Sequence, residues 1–211
     1  MAVFPADWQI PLAYIPQRGR LVQLEILSDE HTAELLAISA DPVIWRYLVS
    51  QCSSPEEFRA YLTQLQGDYL AGSALPLVVR TIAGGRVAGL TRLKNISRDH
   101  RKAVVGSWFA PAEWGTGVNT EAKLLLLEYA FESLGCLRLE FHADRRNVRS
   151  QSALTKMGAT EEGILRSDLI TKDGHRRDTV IFGVIDRDWP GIKRLLQARL
   201  QEQLGKGTTV K

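Results

Sequence analysis

Trp108-Phe109-Ala110-Pro111-Ala112-Glu113-Trp114-Gly115-Thr116-Gly117-Val118-Asn119-Thr120-Glu121-Ala122 reads as a strand end, a glycine-bearing loop and a helix start. Glycines let the backbone come close to a ligand. The unpaired N–H groups of a helix's first turn point outward with the positive end of the macrodipole behind them, which suits an anion such as a pyrophosphate. Two familiar phosphate loops can be set aside. A nucleotide-hydrolase loop needs Gly-Lys-Ser/Thr, which is missing, and a dinucleotide fingerprint needs a third glycine where Thr120 stands. Taken alone, the stretch also fits a glycine turn that merely starts a helix.

Its neighbours extend the pattern in both directions. Upstream, Leu77–Ile82, a Gly84-Gly85 turn, Arg86–Ile96, a polar turn at Ser97–His100 and Lys102–Phe109 read as three antiparallel strands in a meander. Downstream, Leu124, Leu125, Leu127, Tyr129 and Phe131 continue a helix that ends at Gly135. Leu137, Leu139 and Phe141 then alternate in a strand, and Asn147–Met157 reads as a helix closed by Gly158. Nearer the N-terminus, Val22, Leu24 and Ile26 alternate in a strand over Leu21–Leu27. Ser28 can cap a helix, Asp41-Pro42 opens another short one, and Ser54-Pro55-Glu56-Glu57 is a capping box for a third that runs to Gly67 or Gly72. Near the C-terminus, strands over about Thr160–Ile170 and Thr179–Ile185 flank an Asp173-Gly174 turn. A last amphipathic helix carries Ile192, Leu195, Leu196, Leu200 and Leu204, a stripe that could serve a homodimer partner or the chain's own core.

Composition limits what such a chain can be. With 211 residues, of which 45% are hydrophobic and 24% charged, one globular domain with terminal trimmings is expected. Those trimmings are an irregular arm over 1–20 and a frayed tail over 205–211, leaving residues 21–204 as the domain. The net charge of +3 is too near balance for a dedicated nucleic-acid binder. No apolar run reaches the ~18 residues of a membrane span, so no membrane partner is expected. Cys52 and Cys136 lie in different segments without metal or redox spacing, and the 4 histidines form no metal motif, so a reduced cytoplasmic setting and no metal are expected.

A second strand-to-helix junction, Asp144-Arg145-Arg146-Asn147-Val148-Arg149-Ser150 continuing to Gly163, follows the first at the distance of the next β-α unit. Together the two junctions resemble the GNAT superfamily of acyl-CoA-dependent N-acyltransferases, in its branch related to the ribosomal-protein acetyltransferases RimJ and RimL. Trp-Gly-Thr-Gly-Val-Asn-Thr-Glu-Ala matches that branch's loop. Asn147 and Ser150 match its Asn-x-x-Ser element, and Leu165-Arg166 with Asp173-Gly174 through Arg177-Asp178 match its closing hairpin. The resemblance covers about Leu21 to Leu200.

The resemblance implies an α+β (mixed α/β) GNAT fold, a splayed, mostly antiparallel sheet of about seven strands flanked by helices. The strands ending near Phe109 and His142 would part to leave a cleft for the pantetheine arm of acetyl-CoA, the cosubstrate. By the same likeness the loop Trp114, Gly115, Thr116, Gly117, Val118, Asn119 and Thr120 would hold the pyrophosphate. Trp108, Phe109 and Ala110 would pair with the pantetheine amides, and Asn147 and Ser150 would reach the cofactor from the second junction. The chemistry implied is direct attack of a neutral amine on the thioester within a ternary complex, most readily a protein or peptide N-terminal amine.

Two departures from the family pattern bear on catalysis. Many members carry a tyrosine acid where Leu154 stands, so Ser150 is the substitute acid, against its alternative as a helix-start residue with a local bond. The branch often has a glutamate where Val104 stands, which leaves the base unassigned. His142 and Glu140 are outside candidates, each read first as a residue that packs or hydrogen-bonds at the sheet surface. Arg145, Arg146 and Arg149 could draw the adenosine 3′-phosphate or stay solvated, and Trp45, Trp108, Trp114 and Trp189 read as core or cleft wall. The missing tyrosine and glutamate also keep open an acyl-CoA-binding module without turnover, and a small-molecule amine remains an alternative acceptor.

Overall fold

In the computed structural model, which describes residues 17–207 with side chains as far as Gly205, the strand and helix periods of the sequence become one mixed sheet with helices on both faces. In chain order these are β1 (Gln17–Arg18), β2 (Val22–Ile26), α1 (Thr32–Ser39), α2 (Pro55–Leu70), β3 (Leu75–Thr81), β4 (Val87–Ser97), β5 (Lys102–Phe109) and α3 (Val118–Glu128). Then follow β6 (Arg138–Asp144), α4 (Val148–Met157), β7 (Thr160–Ile170), β8 (Arg176–Ile185) and α5 (Trp189–Gly207). The expected arm over 1–20 lies mostly outside the described residues. Gln17 and Arg18, which fall within it, pair with Leu24 and Gln23 as an edge strand and bring the sheet to eight strands where about seven were expected. Of the expected tail, Gly205–Gly207 continue α5.

Local chemistry accounts for the helix starts. The Ser54 side chain accepts the Glu57 N–H at 3.3 Å, and Pro55 occupies the first turn, where its missing N–H costs nothing. Glu57 reaches back to the N–H of Ser53, one residue earlier than a capping box requires. Phe58, Leu62 and Leu65 then fall on one buried face. Asp41-Pro42 opens a single 3₁₀ turn over Pro42–Ile44 rather than a helix, with the Asp41 carboxylate accepting the Val43 N–H at 3.0 Å. At the far end of α3 the chain widens into a π turn over Tyr129–Ser133 before Gly135 ends it in a left-handed conformation.

The strand order is β1-β2-β3-β4-β5-β6-β8-β7, antiparallel throughout except where β5 meets β6. Alternation along the strands divides the core in two. Val22, Leu77, Val105, Phe141 and Phe182 join α3, α4 and α5 on one face, while Val78, Leu90 and Trp108 join α1 and α2 on the other. The apolar stripe of α5 serves the chain's own core. Ile192, Leu196 and Leu200 are buried in it, each such side chain being worth roughly 1.5–3 kcal/mol over exposure. Among the described residues no helix is long and apolar enough to cross a membrane.

Candidate active site

The parallel pair is where the sheet opens. β5 and β6 are in register from Lys102 with Arg138 to Val105 with Phe141, and the pairing stops there. Gly106–Phe109 and His142–Asp144 run on without each other, so the two strands leave a fork. Beyond it β5 remains paired to β4, with Trp108 opposite Leu90, and Ala110 gives its N–H to Ala88 at 2.9 Å. The Phe109 carbonyl accepts from the Trp114 indole at 3.1 Å, which ties the following loop to the strand it leaves.

That loop meets the requirements of an anion site. Gly115 (φ 81°) and Gly117 (φ 96°) both adopt left-handed backbone that a side chain would strain, and Gly117 immediately precedes α3. Among the described residues the N–H groups of Gly115, Gly117, Asn119 and Thr120 have no partner, while Glu121 begins the helical ladder by donating to Gly117 at 2.9 Å. These free donors at a helix head are what a pyrophosphate needs. Glu121 itself turns away from the loop. It is 2% exposed and accepts the N–H groups of Arg20, Leu21 and Val22 at 2.8, 2.6 and 2.7 Å, binding the start of β2 to the head of α3.

The second junction closes against the first. Asn147 caps α4 by accepting the Ser150 N–H at 3.1 Å, which occupies its carbonyl and leaves its amide hydrogens; Ser150 is half-buried in the helix's first turn. The guanidinium carbon of Arg149 sits 3.2 Å from the centre of the Trp114 ring, so α4 is stacked onto the anion loop. The neighbouring cations face inward partners too: Arg146 pairs with Asp144 at 2.9 Å and Arg145 with Asp178 at 3.4 Å.

Lys123 lies beneath the fork on the α3 face. Its ammonium donates to the Ser107 hydroxyl, which is 2.6 Å from Thr91 Oγ1, and stands 6.0 Å from the centre of the Phe141 ring. Burial lowers its pKa to about 7. On the other face Trp45 and Phe58 pack on Trp108 with ring centres 5.5 and 6.0 Å away, and behind them a cavity of about 550 Å³ opens between α1 and α2, walled by Leu36, Trp45, Arg46, Cys52, Pro55 and Phe58. The tip of the β7–β8 hairpin reaches this side, where Lys172 bonds to Ser53 at 2.9 Å and pairs with Glu57.

A sheet parting after four pairs, with an amide-lined helix head beside the opening, matches a known family. Its profile, the acetyltransferase (GNAT) domain, matches residues 21–160. The chain belongs to the GNAT acetyltransferase family. It is 34% identical over 109 residues to the protein named "Putative ribosomal N-acetyltransferase YdaF" of Bacillus subtilis, covering 52% of this chain and 59% of that one. It is 29% identical over 92 residues to spermidine N(1)-acetyltransferase of Escherichia coli K12, covering 44% of this chain and 50% of that enzyme. The chain therefore spans little more than half the length of these relatives. Among solved structures, a GCN5-related N-acetyltransferase from Brucella melitensis superposes with TM-score 0.81 at 30% identity, covering 88% of this chain and 85% of that one.

GNAT acetyltransferases use acetyl-CoA, and this chain is a member of that family. Its departures from the family pattern have structural consequences. Leu154, at the usual tyrosine position, is buried in the core cluster. Val104 is also buried. Glu140 is engaged by Arg138 at 3.0 Å, His142 at 3.1 Å and Lys102 at 3.6 Å. Burial opposes its charge, but the bonds from Arg138 and His142 outweigh that and hold the carboxyl below its ordinary range. Sequence reading passed over Lys123, whose only signal was a cation inside an apolar helical run, and Arg92 and Lys94, which looked like ordinary outward-facing strand residues.

Proposed function

We propose that this GNAT enzyme acetylates the N-terminal α-amine of a peptide or protein, with acetyl-CoA as donor. In this reading the free N–H groups of Gly115, Gly117, Asn119 and Thr120 hold the diphosphate, and the loop residues Trp114, Thr116 and Val118 shape the site. Trp108, Phe109 and Ala110 border the pantetheine arm, and the amide hydrogens of Asn147 reach the donor. The amine attacks the thioester carbonyl, the carbon–sulfur bond breaks, and the Ser150 hydroxyl gives its proton to the leaving sulfur and regains one from solvent. The proton lost by the amine passes to water.

Among the described residues, the lack of a free carboxylate on β5 or β6 at the fork carries the choice of acceptor. Val104 supplies none, Glu140 is committed to Arg138, Lys102 and His142, and Asp144 is held by Arg146. An acceptor must then lose its proton largely unaided. With α-amines titrating near ~8 and lysine near ~10.4, the α-amine offers roughly 200- to 300-fold more neutral nucleophile near neutral pH.

The test is thiol release from acetyl-CoA with peptides whose N-terminus is free or blocked, with mass spectrometry to map the acetyl group. Acetylation confined to the free N-terminus is expected. Acetylation of lysine side chains only would refute the acceptor assignment. Donor binding without thiol release across peptides and amines would mean an acyl-CoA-binding module instead. Ser150→Ala is expected to lower kcat more than it raises the KM for acetyl-CoA.

A further inference from the structure

An acceptor can reach the fork from one side of the sheet only. On the other side Val105, Phe109, Phe141 and Ala143, from the two strands that part, merge with side chains of α3, α4 and α5 in a continuous buried cluster. On the open side two cations of β4 stand beside the fork. Arg92 is in register with Gly106 and Lys94 with Val104, so both flank the point where pairing between β5 and β6 ends. A Cβ on Gly106 would lie 3.4 Å from Arg92 Nε and 4.0 Å from Lys94 Cε.

The third cation comes from across the fork. Arg177 of β8 is 4% exposed, and its Nε has no hydrogen-bond partner among the described residues. Lys94 is affected by its own burial and by the charges of both Arg92 and Arg177, which together lower its pKa. None of the three forms an ion pair among the described residues. Arg92 instead stands 5.7 Å from the centre of the Tyr61 ring. Three of the carboxylates around them are engaged elsewhere: Asp144 by Arg146 at 2.9 Å, Asp178 by Arg145 at 3.4 Å and by the Ser167 N–H at 2.9 Å, and Glu140 as described. Asp144 and Asp168 reach Arg177 through their field, outside ion-pair distance.

Bringing three cations together away from bulk water is costly unless something neutralises them. A ligand carboxylate would do so, and the position of the cluster beside the fork makes the acceptor its natural source. We propose that the acceptor is an acidic peptide, whose N-terminal amine meets the thioester while an Asp or Glu carboxylate in its first few residues is held by Arg92, Lys94 and Arg177. This rests on the acetyl-transfer reading above. It also means that polycationic amines such as spermidine are poor acceptors, because like charges at close range repel.

Three amidated peptides of equal length decide it: Ala-Asp-Asp-Phe, Ala-Asn-Asn-Phe and Ala-Lys-Lys-Phe. With the full chain at low salt, kcat/KM for the acidic peptide should exceed that for the neutral one about tenfold and that for the basic one further still. The Arg92→Gln/Lys94→Gln double variant should shrink the acidic-to-neutral ratio to within about threefold, while the affinity for CoA, read by calorimetry, stays near that of the parent. Arg177 is left in place because of its burial. Equal or inverted preference in the parent, or a ratio that survives the double variant, would overturn the inference. If no peptide is acetylated although acetyl-CoA binds, the transfer reading has failed. The same peptides titrated into CoA-saturated protein still decide the present inference: acidic-selective binding that the double variant loses supports it, and equal affinities overturn it.

Discussion

Arg149 stacks on Trp114 with its guanidinium carbon 3.2 Å from the ring centre, so the first turn of α4 and the start of the glycine loop hold each other in place. Trp114 is fixed on its other side by the Phe109 carbonyl. Arg149→Ala is therefore expected to raise the KM for acetyl-CoA about three- to tenfold while costing only ~0.5–2 kcal/mol of stability, the range of a cation–π contact. Arg149→Lys should recover little, because an ammonium does not reproduce the planar stack. Steady-state kinetics with acetyl-CoA varied, beside a urea titration, check both statements.

Among the described residues Glu121 is the one side chain that accepts the N–H groups of Arg20, Leu21 and Val22. Removing the carboxylate leaves those donors short of partners in a buried place, a large penalty for a single change. Glu121→Ala should lower unfolding free energy by ~3 kcal/mol or more. The urea midpoint gives the measurement, and a loss below about 1 kcal/mol would show that water replaces the carboxylate without cost.

Lys123 has a folded-state pKa of about 7, below the ~10.4 of an unfolded lysine. Between those values the unfolded chain binds more protons, so this group makes stability rise as pH climbs from about 7 towards 10. Its full penalty is present below 7. Lys123→Met should accordingly stabilise the protein by ~1–3 kcal/mol at pH 6 and by less at pH 9.5. Urea unfolding at the two pH values tests the sign, which a gap widening with pH would contradict.

Asn147 has two separable duties. Its carbonyl caps α4, and under the proposed function its amide hydrogens serve the donor. Asn147→Ala should lose both, costing ~1 kcal/mol of stability for the cap. Asn147→Ser restores a neutral capping oxygen, so stability should return while the KM for acetyl-CoA stays raised. Full recovery of that KM in the serine variant would mean that capping was the residue's whole contribution.

Much of this architecture was legible in the sequence where local chemistry decides it. Lys102–Phe109 and Thr160–Ile170 have the bounds their alternation and turns predict, and the Gly117 and Gly158 positions mark a helix start and a helix end as expected. Gln17–Arg18 was not legible, since two residues carry no period. Nor was the depth of the fork, which depends on how far β5 and β6 stay in register. The site divides in the same way. Its loop could be found because glycine spacing is local, whereas the meeting of Arg92 and Lys94 with Arg177 depends on β8 lying next to β6, a choice of sheet order that no short pattern encodes. Nothing in the apolar run around Lys123 says whether a lysine there extends its head to solvent, and the packing of α3 on the sheet shows that it does not.

The sheet's parallel seam consists of Lys102–Val105 against Arg138–Phe141. Within the sheet, β1–β5 is knitted to β6–β8 through that brief stitch of paired strand, and past it two unpaired rims face each other. A donor lying along the opening would suture the rims, so occupancy should slow amide hydrogen exchange on both banks at once rather than only where the ligand touches. The acyl carrier would then be a beam of the building as well as a reagent, and its departure after each turnover would loosen the halves that the next molecule must rejoin.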